Sequence, residues 1–452
     1  VGSEMCIRDR GNVDRSGANA LGAPDLPSRD ADAFVKVGTV GYGDIDMSDD
    51  DKTMWLVNLK QRTLIAVDLP QVNYLGSTDT YAAPNAAVKH YNILSGGPSS
   101  VTISGAPACT NGQLRPFGLK IYHGKGYLGA VCDGALSSTV VPASGTQVAY
   151  VLSFDPANPT SFTQEISIPM DYNREWLYTF DSISGNSALA KWQRWADATA
   201  DWTTQWDGSD FNIGGLPQPV LADIEFADDG AMILGVMDRG SNMGGNVNYS
   251  PITGDLTLYR VSSAGDVLRA PWTGSAWGTP EAGDSDPGKP TGSGSLTGFL
   301  SNDSAGNAGE FFWGDWYNPD TGTDGHQETL LGALAVKPGS GQVLTTAFDP
   351  TGFWTQGARW FDSTDGSLDD SWRTFSTNDS NEERFGKGSG LGDLEILANP
   401  APIELGNRVW LDTDHDGIQD PGENGIGGVI VGLYNITAVS YTHLRAHETV
   451  LD

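Results

Sequence analysis

GDIDMSDDDKTMWLVNL, residues 43–59, joins a short acidic strand to an apolar one through an acidic turn. Residues 43–47 follow the order small residue, Asp, aliphatic, acid, apolar. Residues 222–226 (ADIEF) and 392–396 (GDLEI) repeat that order. Side chains that alternate with a period of two predict strands, and the recurrence predicts an internal repeat of strand–turn–strand units.

The chain up to about residue 400 has the same character throughout. Related units occupy residues 117–131 (FGLKIYHGKGYLGAV) and 332–348 (GALAVKPGSGQVLTTAF). Short strands between Gly, Asn, Asp and Pro turns, with almost no helical periodicity, predict an all-β fold. Repeated sheets bury their faces against each other, so we predict a β-propeller-like domain of six or seven blades over residues 11–400. We expect residues 391–397 to return as the last strand of the first blade, and a stacked β-sandwich is the alternative architecture.

The composition excludes several classes of protein. The 452 residues include 57 acidic and 26 basic side chains, for a formal net charge of −31. Such a surface repels nucleic acid and anionic lipid, so neither is an expected partner. No apolar run reaches the roughly 18 residues that a membrane-spanning helix needs. With 58 glycines and 38% hydrophobic residues, the chain reads as a loop-rich globular protein.

The strongest local motif is the acidic loop at residues 412–423, DTDHDGIQDPGE. Calcium takes about six to eight oxygen ligands, and an EF-hand-like loop supplies them from alternate positions, with a glycine where the chain turns sharply. Gly417 occupies that position, and strand-like segments flank the loop in place of helices, which favours a structural role for Ca²⁺. The predicted ligands are Asp412, Asp414, Asp416, the backbone carbonyl of Ile418, Asp420 and Glu423.

The segment around this loop, residues 403–434, resembles the opening of the B-type repeat domains of serine-aspartate repeat surface proteins of bacteria. The resemblance rests on GNRVWLD, DTDHDGIQDPGE and GIGGVIV. It implies a calcium-stiffened, immunoglobulin-like β-sandwich that acts as a rod or spacer on the cell surface. A complete sandwich needs about 100 residues, so we expect a partial domain at 403–437. The preceding region is similar to the repeat-bearing N-terminal part of some bacterial proteins with this domain.

Both ends of the chain share no pattern with their neighbours. Residues 1–10 (VGSEMCIRDR) and 438–452 resemble translated adaptor sequence, so we expect neither segment to belong to the fold. Two cysteines, Cys109 and Cys132, then remain. An even number in an exported protein predicts a disulfide, with two free buried thiols as the alternative.

The paired acids of the repeat are the main candidates for chemistry. The pairs share one face of a strand because alternate side chains point the same way. They are Asp44 and Asp46, Asp223 and Glu225, and Asp393 and Glu395. Three copies of one pair suit a repeated structural element better than a single active site, and a calcium or sodium site in the propeller channel is a further hypothesis. His123 and His326 have no neighbours in sequence that would complete a metal site or a catalytic triad.

One segment has helical spacing. Trp192, Trp195, Trp202 and Trp206 recur at intervals typical of one face of an amphipathic helix within residues 189–206. Such a stripe packs on the body of the domain or forms an exposed patch for a sugar or a partner, and the packing role is the expected one.

Taken together, these features predict a secreted or cell-surface protein with a structural or adhesive role and no enzymatic activity. We expect Ca²⁺ as its cofactor and an extracellular ligand, with carbohydrate and protein as the two candidate classes. A calcium-dependent β-propeller hydrolase acting on an extracellular polymer is the alternative.

Overall fold

The structure is a computed structural model that describes residues 26–69, 88–172, 191–202, 204–206, 212–214, 217–245, 247–280, 282–283, 309–312, 314–315, 317, 329–352, 355–376, 391–396, 426, 429–434 and 440–445. The chain divides into two compact units, Val1–Glu395 and Ile396–Asp452. Strands dominate both units, so the all-β prediction is confirmed.

Four antiparallel sheets make up most of the described part of the first unit. The first sheet contains β1 (Tyr42–Met47), β2 (Thr53–Asn58), β3 (Thr63–Asp68) and β4 (Val88–Asn92). The second contains β5 (Leu114–Tyr122), β6 (Lys125–Cys132), β7 (Val148–Phe154) and β8 (Thr163–Pro169). The third contains β11 (Pro219–Phe226), β12 (Met232–Asp238) and β15 (Asp266–Ala270). The fourth contains β18 (Leu330–Val336), β19 (Gln342–Phe348), β20 (Thr355–Asp362) and β21 (Leu368–Ser376).

Smaller elements complete the first unit. A sheet of order β13–β14–β10–β9 is built from β9 (Thr204–Trp206), β10 (Asn212–Gly214), β13 (Asn248–Tyr249) and β14 (Leu258–Arg260). Strands β16 (Ala282–Gly283) and β17 (Gly309–Glu310) form a pair. In the part of the chain that the structure describes, the helices are α1 (Ala31–Phe34), α2 (Arg239–Gly244) and a 3-10 turn, Thr199–Asp201. Among the described residues, no helix is long and apolar enough to cross a membrane.

The hydrophobic core lies between consecutive sheets. Leu64 and Leu128 belong to a cluster shared by the first and second sheets. Val151 and Leu234 belong to one shared by the second and third, and Val267 and Phe361 to one shared by the third and fourth. Each sheet therefore buries apolar side chains against its neighbours in chain order, as the blades of a propeller-like domain do.

The first strand of each of the four main sheets, called here its opening strand, carries an irregularity in its pairing. The pairing register shifts within β1, β5, β11 and β18. Near these places strands of neighbouring sheets come very close. A Cβ added at Gly118 in β5 would lie 3.0 Å from backbone atoms of β11, and one added at Gly235 in β12 would lie 2.0 Å from a backbone oxygen of β18. Glycine is required there because no side chain fits.

The opening strands β1, β5 and β11 converge on one lysine side chain, and three flat stacked sheets could not do this. Lys120 on β5 lies 2.8 Å from Glu225 of the third sheet and 4.0 Å from Asp46 of the first. Stacked sheets are about 10 Å apart, so the outer two of three flat layers would not reach one ammonium group. The described strands therefore favour the propeller-like arrangement over the stacked sandwich, and the number of blades stays a prediction.

Two expectations about local structure are wrong. Residues 392–396, the third copy of the acidic repeat, are described but lie in no strand, so they do not complete the first sheet. Residues 191–198 are irregular and lead into a 3-10 turn and then β9, so the tryptophans do not lie on a helix. Trp192, Trp195 and Trp202 are nevertheless buried, as the packing role predicts.

In the second unit the described strands form one antiparallel hairpin. Strand β22 (Ile430–Tyr434) pairs with β23 (Ser440–Arg445). Strand β23 belongs to residues 438–452, which sequence analysis places outside the fold. The structure does not support that expectation. Residues 1–10 lie outside the described residues.

Candidate functional site: carboxylates between the sheets

Carboxylates of the acidic repeat point from one sheet to the next. In β1, Asp44 Oδ2 accepts a hydrogen bond of 2.7 Å from the backbone N–H of Leu119 in β5, and Asp46 Oδ2 accepts one of 2.6 Å from Ile121. Each carboxylate also accepts the N–H of the residue that follows it. Both acids thus satisfy backbone donors of the neighbouring sheet.

The second copy of the repeat makes the same contact between the third and fourth sheets. Asp223 Oδ2 in β11 accepts a hydrogen bond of 2.6 Å from the N–H of Leu334 in β18. In the acidic turn after β11, Asp228 accepts the N–H of Gly339, and Asp49 accepts the N–H of Gly124 in the corresponding place after β1. The sequence repeat is therefore a repeated set of inter-sheet hydrogen bonds. A buried N–H left without an acceptor would cost about 1–3 kcal/mol.

The carboxylates at the centre are crowded and poorly solvated. Asp44 is 9% exposed and Asp223 is 6% exposed. Burial raises the pKa of both well above the ordinary value, and repulsion from Asp393 raises both further. Repulsion from Asp44 also raises the pKa of Asp223. Asp393, which sequence analysis places in the same repeat, therefore lies near the other two although its segment is not a strand.

Lys120 is the cation of this cluster. Its ammonium group contacts Glu225 and lies near Asp46. Burial lowers the pKa of Lys120, but the two carboxylates outweigh burial and the net shift is upward. Burial raises the pKa of Glu225 to about 7, against the opposing attraction of Lys120. Burial is also the largest cause of the raised pKa of Asp46 and of Glu395.

The observed contacts give this cluster a structural role. Both carboxylate oxygens of Asp44, Asp46 and Asp223 already accept backbone N–H groups. Glu225 accepts the ammonium group of Lys120. Among the residues that the structure describes, no group of three or more His, Cys, Asp or Glu has a geometry that would hold a metal ion. The hypothesis of a cation site in the channel therefore gains no support from the described part of the chain.

His123, one of the two candidate histidines, does not join the cluster. His123 is exposed in the turn after β5, where it adopts a positive φ of 49° and stacks on Tyr122 with ring centroids 3.9 Å apart. His326 lies outside the described residues. The six predicted calcium ligands in the loop at 412–423 also lie outside them, so the loop stays a prediction.

Cys109 and Cys132 form a disulfide with Cα atoms 5.6 Å apart, as the sequence predicts. Cys132 ends β6, and Cys109 lies in the segment that leads into β5. The bond therefore anchors this segment to the second sheet, beside the core that the first and second sheets share.

Sequence analysis missed a second ionic cluster at the other end of the opening strands. Arg239 is fully buried, stacks over Trp195 at 4.3 Å and forms an ion pair of 3.2 Å with Asp197. Asp197 also pairs with Arg115, which bonds the buried Asp133 at 2.6 Å. Burial lowers the pKa of Arg239 to about 10. An arginine directly after an apolar strand was the available signal.

A known protein family matches residues of the second unit. Residues 403–447 match the family model of the SdrD B-like domain, which confirms the resemblance to B-type domains and extends into the segment thought to be foreign. The strands of the structure and the β-sandwich fold of the matched family are both all-β.

Curated relatives match over most of the chain. Colossin-A of Dictyostelium discoideum is 31% identical over 338 residues, which cover 72% of this chain and 3% of that protein. Colossin-C of the same organism is 27% identical and is covered to 29%, and Colossin-D is 22% identical and is covered to 32%. The chain thus spans less than a third of these relatives. They come from Dictyostelium, so they lend no support to the expected bacterial origin.

Among solved structures, apo AztD from Citrobacter koseri matches with a TM-score of 0.21 and 10% identity, covering 90% of this chain and 86% of that one. That likeness is too distant to carry an argument.

Proposed function

We propose that this chain is part of an extracellular structural or adhesive protein without enzymatic activity. The match of residues 403–447 to the SdrD B-like domain carries this proposal, and the similarity to the Colossins over most of the chain agrees with it. The disulfide adds support because such bonds persist in oxidising environments outside the cytosol.

The carboxylates between the sheets support the non-enzymatic part of the proposal. Asp44, Asp46 and Asp223 each accept a backbone N–H from the neighbouring sheet. A general base or nucleophile must be available to a substrate. These carboxylates already accept hydrogen bonds from backbone N–H groups. No described contact favours the hydrolase alternative over this role.

Calcium is the second part of the proposal. The loop at 412–423 places oxygen ligands at every position that a calcium loop uses, with Gly417 at the turn. Bound there, Ca²⁺ would stiffen the B-type domain and make the second unit resistant to unfolding. The propeller-like first unit would then present the binding surface for an extracellular ligand.

Calorimetric titration of the full chain with calcium tests the proposal. We expect one site in the wild type that is lost in the double variant Asp412→Ala with Glu423→Ala. The matched control, Asp369→Ala with Asp370→Ala, removes two exposed acids of β21 and the same charge, and should leave that site intact. Equal binding by wild type and the loop variant, or no binding at millimolar calcium, would overturn the calcium assignment.

A further inference from the structure

Strand β21 is the outer strand of the fourth sheet. It is nine residues long, and one of its edges pairs with β20, whereas no described strand pairs with the other edge. Of residues 368–374, all except Ser371 are exposed, so both faces of the strand are open to solvent. An edge that pairs with no strand has a row of N–H and C=O groups, which can pair with a further strand.

The outer strands of the other three main sheets are covered more closely. All five residues of β15 are buried, and β8 has two buried side chains. Asn92, which ends β4, bridges to Thr102 in the segment that follows the first sheet. Residues 368–374 of β21 include no buried side chain. Among the outer strands of the four main sheets, β21 is therefore the one that lacks such cover within the described residues.

One face of β21 carries an exposed tryptophan beside a carboxylate. Trp372 is 64% exposed and pairs with Ala358 of β20. Asp370 pairs with Trp360 of the same strand. Paired residues of an antiparallel sheet share a face, and so do residues two apart on a strand, so these four side chains lie together. A tryptophan ring attracts a cation placed over its face, and the neighbouring carboxylate attracts the same cation.

Charge selects the kind of strand that would pair here. Residues 362–374 contain four aspartates and one arginine, for a net charge of −3. A second copy of this chain has a net charge of −31 and would be repelled. An extended segment with basic residues would be attracted, and its alternate side chains would lie beside Trp372 and Asp370.

We propose that β21 binds an extended basic segment of a partner protein, which joins the fourth sheet as a further strand. Hydrogen bonds between the two backbones hold the segment, and every second side chain, a lysine or an arginine, lies on the face of Trp372 and Asp370. This inference rests on the proposed adhesive function and names the class of partner that the first unit binds.

Fluorescence anisotropy of a labelled peptide, measured on the full chain with calcium in about 0.15 M salt, tests the inference. The probe has nine residues, as β21 has, and alternates lysine with valine. We expect a dissociation constant on the order of 10–100 μM. A peptide with glutamate in place of lysine, and the lysine peptide with methylated backbone nitrogens, should each bind at least about tenfold more weakly, because the first reverses the charge and the second loses its donors. No binding of the lysine peptide, or equal binding of its methylated form, would overturn the inference.

Two variants connect the signal to β21. Trp372→Ala and Asp370→Asn should each weaken binding about two- to fivefold, since an exposed cation–π contact and an exposed ion pair both contribute modestly. Leu136→Ala is the control for the first, because Leu136 is also a large exposed apolar residue, at 76%. Asp155→Asn is the control for the second, because Asp155, like Asp370, is exposed and accepts a neighbouring backbone N–H. Both controls should bind as wild type does, and equal affinity in wild type and the two β21 variants would refute the site.

A neutral glycan is the other class of ligand that an exposed tryptophan can bind. Binding of cellohexaose that is lost in Trp372→Ala, without binding of the lysine peptide, would assign this face to a sugar and overturn the inference. The calcium titration is independent. A wild type that binds calcium but not the lysine peptide would refute the inference and leave the proposed function standing.

Discussion

Replacing Glu225 by Gln tests whether the crowded carboxylates between the sheets make the protein sensitive to pH. Burial raises the pKa of Glu225 from 4.5 to about 7 in the folded chain. A pKa raised on folding means that protonation favours the native state. The protonated Glu225 side chain therefore contributes to the free energy of unfolding. This contribution is fully present below about pH 4.5 and is lost as pH rises through about 7.

The size of the effect follows from the linkage relation. At about 1.4 kcal/mol per pH unit, the shift from 4.5 to about 7 corresponds to about 3 kcal/mol of stability lost between pH 4.5 and pH 8. This is an upper figure because the Glu225 side chain is 16% exposed and pairs with Lys120. Asp44, Asp46, Asp223 and Glu395 have raised pKa values too and act in the same direction.

Urea unfolding at several pH values between 5 and 8, followed by tryptophan fluorescence, measures this. In the wild type the free energy of unfolding should fall as pH rises, and in Glu225→Gln it should fall by about 1–3 kcal/mol less. Glu165→Gln is the control, since Glu165 forms a Lys–Glu pair of similar length, 3.0 Å, whose lysine is half exposed. Equal pH dependence in wild type and Glu225→Gln would refute the reasoning, as would the same change in the control.

Three further perturbations test the packing of the sheets. Asp223→Ala should destabilise the first unit by about 1–3 kcal/mol, because it removes the acceptor of the buried N–H of Leu334; a midpoint of thermal unfolding equal to that of the wild type would contradict this. Replacing Cys109 and Cys132 by Ser should cost about 3 kcal/mol in urea unfolding, and no loss would show that the disulfide constrains nothing. Gly118→Ala should cost about 1–3 kcal/mol, because the added Cβ would lie 3.0 Å from the backbone of the third sheet; a stable variant would mean that the opening strands can separate.

Sequence alone predicted the strands of the first two acidic repeats because their alternation is local. Residues 43–47 and 222–226 lie in β1 and β11, and the related units at 117–131 and 332–348 lie in the opening strands of the second and fourth sheets and the strands after them. The disulfide was predictable from the number of cysteines. The strands depend on neighbouring residues in the sequence, and the disulfide prediction depends on the number of cysteines. Contacts between distant residues therefore do little to alter either prediction.

Features that depend on tertiary context were not predictable. Residues 392–396 carry the acidic repeat but are not in a strand, because a strand also needs a partner and the pattern cannot say whether one is in reach. The tryptophan spacing suggested a helix, yet the indole N–H groups of Trp192 and Trp195 are bonded to Tyr172 and to a backbone carbonyl in irregular chain. The role of Lys120 was not predictable, because a single lysine in an apolar strand is usually exposed to solvent.

The inter-sheet hydrogen bonds explain how one fold can accept insertions of different length. Asp44 and Leu119 are 75 residues apart, whereas Asp223 and Leu334 are 111 residues apart. The two bonds are nevertheless alike in atoms and length, 2.7 and 2.6 Å. What they share is an opening strand at the edge of its sheet, which has N–H groups on the side that faces no strand of its own sheet, and an aspartate of a neighbouring sheet that accepts one of them. Because the contact is fixed by two short segments, extra chain between them costs little, since closing a longer loop adds only about 0.6 kcal/mol for each doubling of its length. Selection can therefore lengthen the connections on the outside of the sheets, where a ligand-binding surface would form, without loosening the way the sheets are joined.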